Sequence, residues 1–116
     1  MSGLIYHIAS AADWAQARAA GEYTTSTRGL TLDQVGYLHA AHAHQVAGVA
    51  NAFYAGEPDL VVLVIDTALV GPEIRLDSVP GSDEPFPHIY GPLNADAVTA
   101  VLPLRPGPDG RFSFAA

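Results

Sequence analysis

The stretch Leu60–Asp66 limits the possible folds of this chain more than any other segment, because it is an unbroken run of Val, Leu and Ile that ends in an acid. A strand with one face in water alternates apolar and polar residues, whereas a strand buried on both faces does not. The run is also too short to cross a bilayer, which takes about 20 apolar residues in a helix. We therefore predict a central strand that is buried on both faces.

The chain is long enough for one core built around such a strand. Its 116 residues are close to the commonest domain size, and 49% of them are hydrophobic. No repeat, low-complexity segment or linker interrupts the sequence. We expect residues 1–116 to form a single domain.

Two helices are predicted from capping and periodicity. The first runs over Ala11–Ala20, because Ser10 offers an N-cap oxygen and Gly21 is a typical C-terminal stop. The second is predicted over residues 40–55, before Gly56. Its inner face is a set of apolar residues at helical spacing, namely Val46, Val49, Ala50 and Phe53.

The remaining segments favour strands and turns. Besides Leu60–Asp66, strands or extended segments are predicted at residues 4–8, 23–28, 36–39, 73–77, 98–104 and 111–114. Asn94 is expected to begin a single helical turn. The order of strand, helix, strand, helix and then mostly strands indicates an α+β fold, not a repeating βαβ array.

Charge and composition exclude several classes of function. The formal net charge is −7, the chain has no lysine, and it has five arginines. We therefore expect no nucleic-acid partner and no binding to anionic membranes, since both need a basic surface. The absence of cysteine excludes thiol chemistry and fits a reducing compartment. The first residues show no signal-peptide pattern, so the predicted location is cytoplasmic.

The five histidines are the most informative polar residues. His7, His39 and His88 lie inside otherwise apolar segments, which is an uncommon place for a side chain that titrates near neutral pH. His42 and His44 follow His39 closely, but the three do not share one helix face. The chain has no His-Glu-x-x-His motif, so we predict no metal site.

The segment at residues 86–93, Phe-Pro-His-Ile-Tyr-Gly-Pro-Leu, is unusual in composition. In an extended chain, His88 and Tyr90 face the same side. Gly91 permits a close approach of the backbone to a ligand. The segment is either part of a site or a stiff loop that covers the core.

Six stretches together carry a family resemblance. In chain order they are Ile5-Tyr6-His7-Ile8 with Trp14, Gly21-Glu22-Tyr23, Gly36-Tyr37-Leu38-His39-Ala40-Ala41 with Gln45, Asn51-Ala52-Phe53-Tyr54, Asp59-Leu60-Val61-Val62-Leu63-Val64-Ile65-Asp66, and Phe86-Pro87-His88-Ile89-Tyr90-Gly91-Pro92-Leu93-Asn94. The sequence resembles the DUF952 family of uncharacterised bacterial proteins over nearly its whole length. It departs from the family at Ala41, where a small hydroxyl residue is usual, and at Leu76-Asp77, where the family tends to carry Trp-Glu.

The resemblance implies a fold similar to that of ADP-ribosyltransferases: a compact domain with a small, mostly antiparallel split sheet and two main helices. In those enzymes a cleft between two small sheets holds NAD as substrate, so no resident cofactor is expected here. The resemblance suggests His7, His39, His88 and Asp77 as catalytic candidates. It also suggests Tyr6 and Tyr90 as ligand-binding candidates, to which we add Arg28, as a cation near the site segments, and Gly91, for its backbone freedom.

Three functional hypotheses stay open at this point. The first is an ADP-ribosyltransferase-like enzyme acting on NAD or a related nucleotide. The second is a binding domain for a small molecule, and the third is a structural or interaction protein. If the chain has a site, His7, His39 and His88 should converge, whereas in a structural protein they should be scattered. The sequence gives neither the ligand nor the oligomeric state.

Overall fold

A computed structural model describes residues 3–27 and 30–114. The fold is α+β, with strands joined mostly in antiparallel pairs and few helices. The strands are β1 (Leu4–Ser10), β2 (Glu22–Tyr23), β3 (Thr25–Thr27), β4 (Leu30–Thr31), β5 (Leu38–His39), β6 (Leu60–Asp66), β7 (Glu73–Asp77), β8 (Phe86–Tyr90), β9 (Leu93–Asn94) and β10 (Val98–Leu104). The helices are α1 (Ala11–Ala20), α2 (Leu32–Val35) and α3 (Val46–Phe53), and 3₁₀ turns lie at Ala43–Gln45, Thr67–Leu69 and Ala95–Ala97.

The first three-stranded sheet has the order β1-β6-β10 and is antiparallel throughout. The predicted central position of β6 is confirmed. Its side chains alternate between two cores: Leu63 and Ile65 lie in one, while Val62 and Val64 lie in the other. The unbroken apolar run therefore reflects burial on both faces of the sheet.

The second three-stranded sheet has the order β5-β8-β7, also antiparallel, with β8 in the centre. Its two faces differ in chemistry because side chains alternate along a strand. Leu38 and Ile89 point into the same core as Leu63. His39 and His88 are paired across the strands one position away, and their side chains lie on the opposite face.

Residues 39–41 connect the two sheets. The Ala40 N–H donates at 3.0 Å to the carbonyl of Pro87, which is part of β8, the second sheet's central strand. Ala41 and Tyr6 exchange two backbone hydrogen bonds of 2.8 Å, which tie the same segment to the first sheet. This short stretch fixes His39 relative to both sheets.

The predicted first helix is confirmed together with both of its ends. The Ser10 hydroxyl accepts from the Asp13 N–H at 3.1 Å, and Gly21 ends the helix in the left-handed conformation with φ of 88°. Trp14 and Ala17 are the buried residues of this helix. Local capping chemistry was sufficient to predict this element.

The predicted second helix was too long. It begins at Val46, since residues 39–41 pair with neighbouring strands and are extended, and a 3₁₀ turn follows them. Val46, Val49 and Ala50 are buried as predicted, but Phe53 is 56% exposed. Placing Phe53 on the inner face was therefore wrong.

Two further expectations need correction. Residues 111–114 form no strand; instead the Asn51 side chain makes two hydrogen bonds with the backbone of Phe112, at 2.8 and 3.0 Å. The four-residue helix α2 was not predicted, because no apolar periodicity marks it and none of its residues is buried. In the described part of the chain, no helix has the length and apolar character required to span a membrane.

Candidate functional site

The polar face of the second sheet carries a chain of three side chains from three adjacent strands. His39 on β5 and His88 on β8 are cross-strand partners, and Nδ1 of His39 lies 3.1 Å from Nε2 of His88. On the other side, Nδ1 of His88 lies 2.8 Å from Oδ2 of Asp77 on β7. His88 is only 1% exposed, so these two neighbours hold a fully buried ring in one orientation.

Asp77 ends this chain and is held by two donors. Tyr90 stands two residues beyond His88 on β8, on the same face, and its hydroxyl donates to the carboxylate oxygen that also accepts from His88. The hydrogen bond from Tyr90, followed by that from His88, lowers the pKa of Asp77. The same contact raises the pKa of the Tyr90 phenol. Asp77 is therefore a carboxylate at neutral pH.

His7 reaches the same region from the first sheet. Its Nδ1 donates to the carbonyl of His39, since a carbonyl oxygen can only accept. Its Nε2 then accepts from the hydroxyl of Tyr23 at 3.1 Å. Burial lowers the pKa of His7, which keeps the ring neutral. The three histidines thus converge, although His7 contacts the backbone of His39 and not its ring.

The proton arrangement follows from the acceptors. Since Nδ1 of His88 donates to the Asp77 carboxylate, its second ring nitrogen, Nε2, accepts from Nδ1–H of His39. Nε2 of His39 then carries a lone pair and no proton. Burial, followed by the proximity of His88 and His7, lowers the pKa of His39 to about 4.

Nε2 of His39 is the one buried side-chain polar atom in the described residues without a hydrogen-bond partner. A buried acceptor left unpaired costs about 1–3 kcal/mol. Such atoms are rare in folded proteins, so this nitrogen points to a group that the protein alone does not supply.

His39 borders a cleft of about 940 Å³, which is large enough for a small organic molecule. The walls are mostly apolar and come from α3, β5 and the loop that precedes β8. The residues lining it are Leu30, Val35, Tyr37, His39, His44, Gln45, Gly48, Val49, Ala52, Phe53, Val79, Pro80, Gly81, Ser82, Glu84 and Phe86. His44 and Glu84, which both line it, are joined by an exposed hydrogen bond of 2.8 Å between Nε2 of His44 and a carboxylate oxygen of Glu84.

Two aromatic residues, Tyr37 and Phe86, lie against the site histidines. Neither is among the predicted site residues. The ring of Tyr37 stacks on His88 with centroids 4.0 Å apart, and the ring of Phe86 lies 5.0 Å from that of His39. Both stand two residues before a site histidine, so strand alternation was the signal that could have identified them.

Ser26 and Tyr23 were also missed. The buried Ser26 hydroxyl donates to the carbonyl of Tyr37 at 2.6 Å and accepts from the N–H of His39 at 3.3 Å. Tyr23 supplies the donor to His7. Nothing in their local sequence distinguishes these two residues from ordinary strand residues.

The other predicted site residues are distributed as follows. Tyr6 is not brought to the site: it points to the opposite side of β1 from His7 and packs edge-on against Phe114 at 5.4 Å. Gly91 faces Pro72, where a Cβ atom would come within 2.9 Å, so its close approach is to the protein itself. Arg28 lies outside the described residues. Of the predicted residues that are described, only His39 borders the cleft, while Asp77, His88 and Tyr90 stand behind it.

No group of three or more potential metal-binding side chains occurs within residues 3–27 and 30–114. The polar groups that the site does contain are the imidazoles of His39 and His88, the carboxylate of Asp77 and the phenol of Tyr90.

Comparisons with known proteins give the family. A family model described as "Protein of unknown function (DUF952)" matches residues 8–101. The crystal structure of protein CC0527 from Caulobacter crescentus is 31% identical, with a TM-score of 0.82, and the alignment covers 96% of this chain and 94% of that one. The solution NMR structure of CC0527 is 30% identical, with a TM-score of 0.77 and coverage of 93% and 90%. Among curated proteins, no relative matches this sequence.

Proposed function

The chain belongs to the DUF952 family, and on that premise we propose that it is an enzyme acting on a small molecule, with His39 as general base. The observation that carries the proposal is the buried, unpaired Nε2 of His39, in a ring that borders the cleft and whose Nδ1 is held by His88. A general base needs a free lone pair within reach of substrate and a fixed orientation.

His88, Asp77 and Tyr90 act as positioning residues in this proposal. When Nε2 of His39 takes up a proton, the imidazolium keeps its hydrogen bond to His88, whose own proton faces the Asp77 carboxylate. The negative charge at the end of the chain stabilises the positive charge that develops on His39. The low pKa of the resting ring keeps it unprotonated at neutral pH.

Nucleotides of the NAD type are the first candidate substrates. The reason is that the family resemblance predicts an ADP-ribosyltransferase-like fold, in which a cleft between two small sheets holds NAD. In that chemistry His39 would remove a proton from the hydroxyl group of an acceptor, and the oxygen of that group would form a new bond to C1′ of the ribose. The C1′–N bond breaks, and nicotinamide leaves with its electron pair. The aromatic rings of Tyr37 and Phe86, which lie against the site histidines, provide apolar surface for the planar nicotinamide ring or nucleobase of such a substrate beside His39.

The test is a thermal-shift screen with NAD, ADP-ribose, nicotinamide and phosphorylated nucleosides. A ligand at 100 times its dissociation constant adds about 2.7 kcal/mol to the free energy of unfolding. We expect the shift to be lost in His39→Ala and kept in His44→Ala, since both histidines line the cleft but His44 is paired at the exposed rim. Each variant is compared with its own ligand-free midpoint. A shift that survives His39→Ala would contradict the proposal.

A second candidate is a binding domain without catalysis, and one observation favours it. Asp77 stands behind His88 and does not border the cleft, so it cannot contact a ligand there directly. The assay that separates the two is release of nicotinamide from NAD, measured by chromatography. Binding of NAD without release would support the binding domain; release that His39→Ala abolishes would support the enzyme.

A further inference from the structure

We infer that the part of the cleft beside His39 selects an uncharged, planar group of the ligand that presents an N–H or O–H donor to His39. This inference deepens the proposed function, on which it rests, by naming the class of group that the ligand places at His39. It depends on three features: the polarity of the unpaired atom, the charges on the cleft walls and the rings beside His39.

The unpaired atom accepts hydrogen bonds. In the proton arrangement described above, Nδ1–H of His39 donates to His88, and His88 in turn donates to Asp77. What remains at Nε2 is a lone pair, which requires a donor on the ligand. A carboxylate or a phosphate without a proton brings only further lone pairs, so such a group is repelled at this position.

The described wall residues offer no compensation for an anion beside His39. Among the described residues that line the cleft there is no arginine, and the chain contains no lysine. His44 already faces the carboxylate of Glu84 at 2.8 Å. Arg75 lies over the ring of Tyr90 and is paired with Glu73, away from the cleft. Burying an anion without a counter-ion is strongly unfavourable, so a neutral group is preferred beside His39.

The rings next to His39 fit a flat molecule. Tyr37 and Phe86 both line the cleft, one against His88 and the other against His39. Aromatic rings favour offset-stacked or edge-to-face partners, which adds to the burial of apolar surface. Val35, Val49 and Ala52 extend the apolar wall beyond them.

The experiment compares three probes that share one ring: benzamide, N,N-dimethylbenzamide and benzoate. Benzamide is neutral with an N–H donor, the dimethyl form is neutral without one, and benzoate is anionic without one. Binding is followed by NMR through the backbone amides of Gly48 and Ala52, which line the cleft. We expect benzamide to bind about tenfold more tightly than either of the other two, the value of one hydrogen bond to a buried acceptor.

A His39→Phe variant keeps a ring but removes Nε2, and we expect it to abolish the preference for benzamide over the dimethyl form. Equal or tighter binding of benzoate or of N,N-dimethylbenzamide to the wild type would overturn the inference. So would the absence of any benzamide effect on the cleft amides up to its solubility limit.

The two proposals fail in different ways. If benzoate binds the wild type at least as tightly as benzamide and His39→Ala removes that binding, the assigned class of group is wrong while the role of His39 stands. If the preference for benzamide persists in His39→Phe, the donor does not contact Nε2, and the inference fails at its central contact.

Discussion

The two three-stranded sheets share one antiparallel plan but differ in what their central strands carry. The central strand β6 of the first sheet presents apolar side chains to both faces. In the second sheet, the central strand β8 presents Ile89 to the core, and Phe86, His88 and Tyr90 to the other face. The first sheet needs only burial, whereas the second depends on directional contacts between named atoms. The first sheet, β1-β6-β10, is therefore called the scaffold sheet, and the second, β5-β8-β7, the site sheet. The same antiparallel arrangement supports the core in one case and carries the candidate site in the other.

The largest effect is expected in the scaffold sheet. Leu63→Ala removes a side chain with no exposed surface from the middle of β6 and leaves a cavity. Leucine-to-alanine changes of this kind lower the free energy of unfolding by about 2–5 kcal/mol. Leu69→Ala, at a residue that is 50% exposed, is the matched control and should change it by less than about 0.5 kcal/mol. Urea unfolding of both variants measures the difference, and equal effects would contradict the assigned role of β6.

The site sheet should make the protein sensitive to acid. The pKa of His39 is about 4 in the folded state and 6.5 in the unfolded chain. The unfolded state therefore takes up a proton first, so stability is full above about pH 7 and falls between pH 6.5 and 4. Each pKa unit is worth about 1.4 kcal/mol, so His39 alone removes roughly 3 kcal/mol over that range. The lowered pKa of His7 acts in the same direction.

Unfolding free energies at a series of pH values test this expectation. His39→Gln should flatten the dependence, because glutamine does not titrate. A wild-type free energy of unfolding that stays constant between pH 7 and pH 4 would show that His39 and His7 are not held neutral.

A smaller effect on the free energy of unfolding is expected from Ser26, whose hydroxyl group hydrogen-bonds to backbone groups next to the site. Ser26→Ala removes the hydroxyl that accepts from the N–H of His39 and donates to the carbonyl of Tyr37. We expect a loss of about 1–3 kcal/mol, the cost of leaving buried backbone groups unpaired. Ser82→Ala is the control, because the Ser82 hydroxyl makes its backbone hydrogen bonds, to Glu84, at the surface. A loss no greater than that of the control would mean that Ser26 does not hold β5 in place.

The smallest expected effect is a change in titration without a change in fold. Asp77→Asn removes the charge that faces Tyr90 and His88. The hydrogen bond to Asp77 is the main cause of the raised pKa of Tyr90, so that pKa should move back toward 10. Tyrosinate absorbance, with Tyr90→Phe to identify the transition, measures it. An unchanged titration would contradict the contact between Asp77 and Tyr90.

The scaffold was more predictable from the sequence than the site, for a physical reason. The central position of β6 follows from its own residues, and the ends of α1 follow from Ser10 and Gly21. The site depends on register between distant segments: His39 and His88 are 49 residues apart, and no local pattern states that they are paired. The family resemblance suggested them, but not the order of contacts.

The errors have two origins: hydrogen bonds between distant segments, and the alternation of side chains along a strand. The second helix was predicted to begin too early, because residues 40 and 41 form their hydrogen bonds with other strands. Tyr6 was assigned to the ligand although it shares β1 with His7, and strand alternation places the two on opposite faces. Tyr37 and Phe86 belong to the stretches that carry the family resemblance. Each precedes a site histidine by two positions, a spacing that in a strand places both side chains on the same face.

The most direct test of the central claim is ¹⁵N NMR of the imidazole rings in histidine-labelled protein. Between pH 7 and pH 5 we predict a neutral His39 with its proton on Nδ1 and a bare Nε2, and a perturbation of Nε2 when a donor ligand binds. A His39 ring that titrates near pH 6.5, or that carries its proton on Nε2, would contradict the account of this site.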